Sequence, residues 1–165
     1  MDPLALTAEA LREPWRLWTG HFVHYGWGHS LANLAAMAVP VVLASGRDRG
    51  RLLFIAFLAA PLLSLLLLPA LGAGQYRGGS GLACVLWVWV GLRLAARRES
   101  CAPGLLLLGG LALKLFLESA LGSCFQGAHP DWQTLSPAHA WGALLGLGLA
   151  LAELPIHRPH GAHRI

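Results

Sequence analysis

Five polar side chains stand out in a largely apolar chain because their chemistry can be combined: His24, His29, Asn33, Ser80 and His139. Ser80 sits in Gly78-Gly79-Ser80-Gly81, where small neighbours let backbone approach a substrate and leave the hydroxyl accessible. Its amide falls near the start of an apolar segment, and a helix N-terminus favours negative charge. His139 heads the segment His139-Ala140-Trp141-Gly142-Ala143-Leu144-Leu145-Gly146. Positions i, i+3 and i+7 share one helical face, so that face carries an imidazole followed by glycines, and Ala150 extends it. Small residues at that spacing let membrane helices approach closely. The segment that begins at Ser80 is the natural neighbour for this face.

A neutral imidazole within hydrogen-bond reach can take the proton of a serine hydroxyl and return it to a leaving amine. That chemistry is acyl transfer, and it does not require a third carboxylate. Asp131 is placed in a loop and Asp48 on the opposite side of the membrane, so a Ser80–His139 dyad is the simpler expectation. His29 and Asn33 are i and i+4, stacked on one helical face. Both can donate hydrogen bonds, and with the Ser80 amide they would form an oxyanion hole. Each motif also has a plainer reading. Gly78, Gly79 and Gly81 can simply form a turn, His139 can cap a helix, and His29 and Asn33 can bond one helix to another.

A metal site is the obvious rival for so many histidines. On a helix, His24 and His29 lie about 140° apart around the axis, so they do not converge on one ion without a break. No HExxH is present and no carboxylate accompanies this segment, so neither a metal nor another cofactor is expected. The cysteines Cys84, Cys101 and Cys124 are scattered, which fits neither a disulfide framework nor a zinc site.

Composition names the solvent in which these residues work. Of 165 residues, 56% are hydrophobic and only 12% charged, and the mean hydropathy is +0.56. The formal net charge of +4 is carried mostly by arginines in short clusters between apolar runs. No basic stripe is interleaved with aromatics, so nucleic acid is not an expected partner. The lipid bilayer is. The first 20 residues lack the apolar core of a signal peptide.

Five apolar stretches, at about 26–45, 52–71, 79–96, 103–122 and 136–154, read as membrane spans, interrupted by Pro61 and many glycines that such helices tolerate. The predicted fold class is therefore all-α, a polytopic membrane helix bundle forming one domain over 1–165. Residues 1–20 read as an external or interfacial segment and 155–165 as a short cytoplasmic tail. Turns are predicted at 45–50, 72–75 and 97–100, with a polar segment at 123–135. Arg47, Arg49, Arg51, Arg93, Arg97, Arg98, Arg158 and Arg164 would share one side, against Arg12, Arg16 and Arg77 on the other. The positive-inside rule makes the first side cytoplasmic. His24, His29, Asn33, Ser80 and His139 then all fall in the outer part of the membrane.

Taken together, His24…His29…Asn33, Gly78-Gly79-Ser80-Gly81 and His139…Gly142…Gly146 resemble the rhomboid intramembrane serine proteases. That family carries H-x4-H-x3-N on one span, G-x-S-G at the start of a later one and H-x2-G-x3-G on the last. The resemblance covers about residues 15–152. It implies Ser80 as nucleophile and His139 as base. His29, Asn33 and the Ser80 amide would bind the oxyanion, and His24 would be a structural histidine. The lead-in Trp18-Thr19-Gly20-His21-Phe22-Val23-His24 and the small size look most like the bacterial rhombosortases. This implies an inner-membrane enzyme whose site faces the periplasm and whose substrates are single-span membrane proteins, including ones with a C-terminal GlyGly-type sorting tail. Two departures accompany the resemblance. Six spans are usual and five are found, the first being the one missing. Cys84 stands where many rhomboids have a tyrosine packed on the histidine.

Two other functions fit the same composition: a catalytically silent rhomboid-like binding protein, and a small histidine-rich transporter or metal carrier. Lys114 and Glu118 share a face of the fourth span and are expected to point into the bundle, as an ion pair or as the lining of a cavity. Trp15, Trp18 and Trp27 read as an interfacial aromatic belt.

Overall fold

The computed structural model describes residues 2–121 and 136–153. Cys124, Asp131, the polar segment 123–135 and the tail 155–165 with Arg158 and Arg164 lie outside the described residues. Among the described residues, six α-helices follow one another: α1 (Arg16–Thr19), α2 (Trp27–Leu43), α3 (Gly46–Leu71), α4 (Ser80–Ala95), α5 (Cys101–Leu121) and α6 (Ser136–Ala152). The five long helices correspond to the five predicted spans. A single backbone bridge, Leu6 to Tyr76, is the one β-type pairing among the described residues.

The protein is an all-helical membrane bundle. Gly46–Leu71 and Arg98–Leu121 are long and apolar enough to cross a membrane, with mean hydropathies of 2.5 and 1.8. The other three long helices are shorter, at 16 to 17 residues. Large side chains such as Leu31, Leu34, Val42, Leu53, Phe54, Leu106 and Phe116 are exposed on the outer faces of α2, α3 and α5. In water such a surface would be unfavourable, whereas lipid tails satisfy it.

α4 is the central helix. It packs against α2, α3, α5 and α6, and it is buried almost all round, from Gly81 to Leu86 and from Val88 to Gly91. Glycine sets its closest approaches. A Cβ on Gly104 of α5 would sit 2.7 Å from the Gly91 carbonyl of α4. Trp89 is fully buried at the centre of the main cluster with Leu52, Ile55, Val85 and Leu107.

The predicted turn at 45–50 is largely helical instead, because α3 begins at Gly46. Its first-turn Asp48 meets the far end of α4, where Arg93 Nη2 lies 2.7 Å and Arg97 Nη2 2.6 Å from the carboxylate. Arg93 also bonds Glu153 at the end of α6. These cross-helix pairs reward the extra helical turn, a gain that local turn signals do not reveal.

The N-terminal segment is folded onto the bundle. Ala5, Leu6 and Ala10 are fully buried. Leu6 exchanges two backbone hydrogen bonds with Tyr76, of 3.0 and 2.8 Å. Arg16 bonds the Ala5 carbonyl at 2.9 Å. Trp15 and Trp27 are exposed, whereas Trp18 donates to the Phe57 carbonyl and packs on the Phe57 ring, so it serves the α3 contact.

Candidate active site

Ser80 is the first residue of α4, and the loop before it is held from outside the helix. The Gly78 amide donates to the Gly20 carbonyl at 3.0 Å, and the Leu6–Tyr76 bridge anchors the same loop a few residues earlier. Gly78 has φ +127°, a conformation that residues with a Cβ rarely adopt. Gly79 precedes the helix, where a Cβ would press on Met37 and the His21 carbonyl. This bend delivers Ser80 at the point where the first amides of α4 have no partner within the helix.

His139 lies in the first turn of α6 and is 5% exposed. Its Nε2 is 2.9 Å from Ser80 Oγ. The contact depends on helix proximity at glycine. A Cβ on Gly142 would collide with the Gly81 carbonyl, and one on Gly146 would strike the backbone at Val85. A Cβ on Gly81 would lie 2.8 Å from the Ala138 carbonyl. The face His139–Gly142–Gly146 is thus the seam between α6 and α4, and Ala150 continues it as a buried residue.

His29 and Asn33 come together on the other side of the Ser80 loop. A Cβ built on Gly78 would lie 3.0 Å from His29 Nε2 and 3.3 Å from Asn33 Nδ2. Asn33 is buried, and its Nδ2 has no hydrogen-bond partner among the described residues. A buried amide donor left unpaired costs about 1–3 kcal/mol, so its direction calls for an acceptor. The His24 ring packs edge-on against His29, with centroids 5.1 Å apart. Arg77 lies over the Tyr25 ring, which stacks on His29.

The structure adds a contact that spacing did not reveal. Glu118 Oε2 lies 2.9 Å from His139 Nδ1, the nitrogen opposite the one facing Ser80. Lys114 forms an ion pair with the same carboxylate, and its Nζ is 3.1 Å from His139 Nδ1. Both helical-face alternatives for this pair hold, since Lys114 also lines a cavity of about 200 Å³ beside Ser80, together with Ala36, Cys84, Trp87 and Leu111. Nearness to the motifs along the chain does not point to Glu118, which is 21 residues from His139. The available signal was a charged pair inside an apolar span. Cys84 is buried one turn along α4 from Ser80, where its Cβ would lie 3.2 Å from a Cβ built on Gly142, so it packs at the seam with α6.

The family model of the Rhomboid domain matches residues 11–156. The chain belongs to the rhomboid family. No curated protein and no solved structure matches it. Rhomboids are in general intramembrane serine proteases that act on membrane-protein substrates within the bilayer. In this rhomboid, the matched region contains His24, His29, Asn33, Ser80, Lys114, Glu118 and His139, whereas Leu6, which anchors the Ser80 loop through Tyr76, precedes it.

Proposed function

We propose that this rhomboid is an active intramembrane serine endopeptidase with Ser80 as nucleophile and His139 as general base. The observation that carries this reading is the 2.9 Å approach of His139 Nε2 to Ser80 Oγ at the meeting of α4 and α6. As Oγ bonds to the scissile carbonyl carbon, its proton passes to Nε2. The resulting oxyanion lies near the Ser80 amide and the side chains of His29 and Asn33. Nε2–H then protonates the departing amine as the C–N bond breaks. Water repeats the sequence on the acyl-serine ester and frees the enzyme.

The arginine bias supports an orientation in which this end of the bundle faces outward, in a bacterial inner membrane. Substrates are then single-span proteins cut near the outer membrane–water boundary. The Trp18–His24 lead-in and the small size support the rhombosortase assignment, with a C-terminal GlyGly-type sorting tail as the substrate mark. A silent binding protein would have no reason to hold Ser80 and His139 in hydrogen-bond contact.

A fluorescent fluorophosphonate tests the chemistry directly. Labelling of the wild type that disappears in Ser80→Ala and His139→Ala is the expected result. Labelling that persists in Ser80→Ala refutes the mechanism. Co-expression with single-span substrates carrying or lacking a GlyGly tail then tests the substrate class.

A further inference from the structure

We propose that Glu118 is a positioning residue for His139, and that Lys114 keeps its carboxylate ionised inside the bundle. This rests on the reading of Ser80 and His139 as nucleophile and base. A histidine can accept the Ser80 proton at Nε2 only when its own proton is on Nδ1. An ionised carboxylate can only accept hydrogen bonds. With Glu118 Oε2 at 2.9 Å, Nδ1 is the favoured protonation site, and Nε2 keeps a lone pair directed at Ser80 Oγ.

Lys114 poses the opposite hazard. Its ammonium is 3.1 Å from the same nitrogen, and if it donated there the imidazole would be held with its proton on Nε2, the inactive form. The ion pair with Glu118 gives the ammonium protons another acceptor. One carboxylate therefore engages the cation through Oε1 and orients the imidazole through Oε2. It also stabilises the imidazolium formed when Ser80 gives up its proton. Glu118 is buried, with a side chain 8% exposed, whereas Lys114 is 39% exposed towards the cavity. A buried lone carboxylate would be costly, which explains why the pair occurs together at i and i+4. The outcome is a relay of Ser80, His139 and Glu118 drawn from three helices, α4, α6 and α5.

The test uses the full chain in detergent with a fluorescent fluorophosphonate, reading the second-order labelling rate beside Tm. Glu118→Gln should label at least about 100-fold more slowly than wild type, within the loss of up to about 10,000-fold seen when the third member of a hydrolase triad is neutralised. Glu118→Asp should recover part of that rate. The deciding variant is Lys114→Leu/Glu118→Leu, because removing both charges together leaves no unpaired carboxylate in the bundle, and such a double replacement of a buried pair is often neutral or stabilising even where, as here, one partner is more exposed. A folded double variant that labels slowly supports positioning. A folded double variant that labels like wild type overturns it and leaves a structural ion pair. If none of these three variants folds, nitrogen NMR of histidine-labelled Ser80→Ala decides, since it needs no change at Glu118. His139 found as the Nδ1–H tautomer with a downfield proton supports the proposal, and the Nε2–H tautomer overturns it. Labelling in Ser80→Ala would instead sink the protease reading itself, so the two failures are distinguishable.

Discussion

Gly142 of α6 lies directly on the Gly81 carbonyl of α4, so close that no Cβ fits between them. This contact is one helical turn from His139 and one residue from Ser80. It therefore sets the separation of the two reactive side chains, and side-chain flexibility cannot restore that separation if the backbones move apart.

Gly142→Ala should accordingly reduce activity more than stability. Overpacking costs about 1–3 kcal/mol, while a displacement of about 1 Å at reacting groups costs about 100-fold in rate. Gly148 on the same helix has nothing within 4 Å of the place a Cβ would occupy, so Gly148→Ala is the control. Comparing fluorophosphonate labelling and Tm for both variants checks the claim. Equal labelling by the two would show that the seam does not set the Ser80–His139 distance.

Asn33→Ala should lower the rate of peptide cleavage by about 100- to 1000-fold, the usual loss for one oxyanion donor. It should do so without lowering Tm, because Nδ2 has no partner among the described residues to lose. A parallel fall in Tm and activity would instead mark Asn33 as a packing residue.

The opposite end of the bundle should behave differently. Asp48 has a side chain only 6% exposed and accepts from both Arg93 and Arg97. Asp48→Ala should cost about 1–3 kcal/mol, less than a fully buried pair would lose because water still reaches both guanidinium groups. The cluster is about 20 Å along α4 from Ser80. Labelling per folded molecule should therefore match wild type, and a large loss of labelling in folded protein would contradict this separation.

His21 should make stability depend on pH. Burial lowers its pKa from 6.5 to about 4, against a partly opposing bond with the Ala60 carbonyl. Its Nε2 faces that carbonyl and Ser64 Oγ, each at 3.0 Å. The unfolded chain binds the proton more tightly than the folded one. Stability is thus fully present above pH 6.5 and is lost as pH falls towards 4, by about 3 kcal/mol in all. Tm in detergent across pH 4–7 should show this slope, and it should flatten in His21→Asn. An unchanged slope in that variant would place the titration elsewhere.

Much of this arrangement was legible because membrane sequences have few options. Backbone in lipid must satisfy its own hydrogen bonds in a helix or a closed barrel, and apolar runs of about 20 residues suit the helix, so five apolar runs became five long helices. The i, i+3, i+7 face of His139, Gly142 and Gly146 identified a close-packed seam, because only small residues permit that approach. The start of α3 was not legible. Ser45-Gly46-Arg47-Asp48 has the composition of a turn, and beside the weak local contact of Ser45 Oγ with the Asp48 carboxylate it is Arg93 and Arg97 on another helix that hold Asp48 in its helical place. The place of the N-terminal segment was not legible in finer detail either, because the pairing of Leu6 with Tyr76, in the loop that leads to Ser80, joins positions 70 residues apart and leaves no local signal.

The sequence by itself determined the class of protein, the order of its spans and the residue types available for acyl transfer, since these depend on local composition and helical period. Only tertiary structure decided what surrounds His139. Glu118 is 21 residues away along the chain and on a different helix, and no periodicity relates the two. Their contact exists because α5 and α6 meet beside the start of α4, which brings a carboxylate, an imidazole and a hydroxyl into one line. Packing of separate helices fixes that line, and packing is a property of the whole bundle.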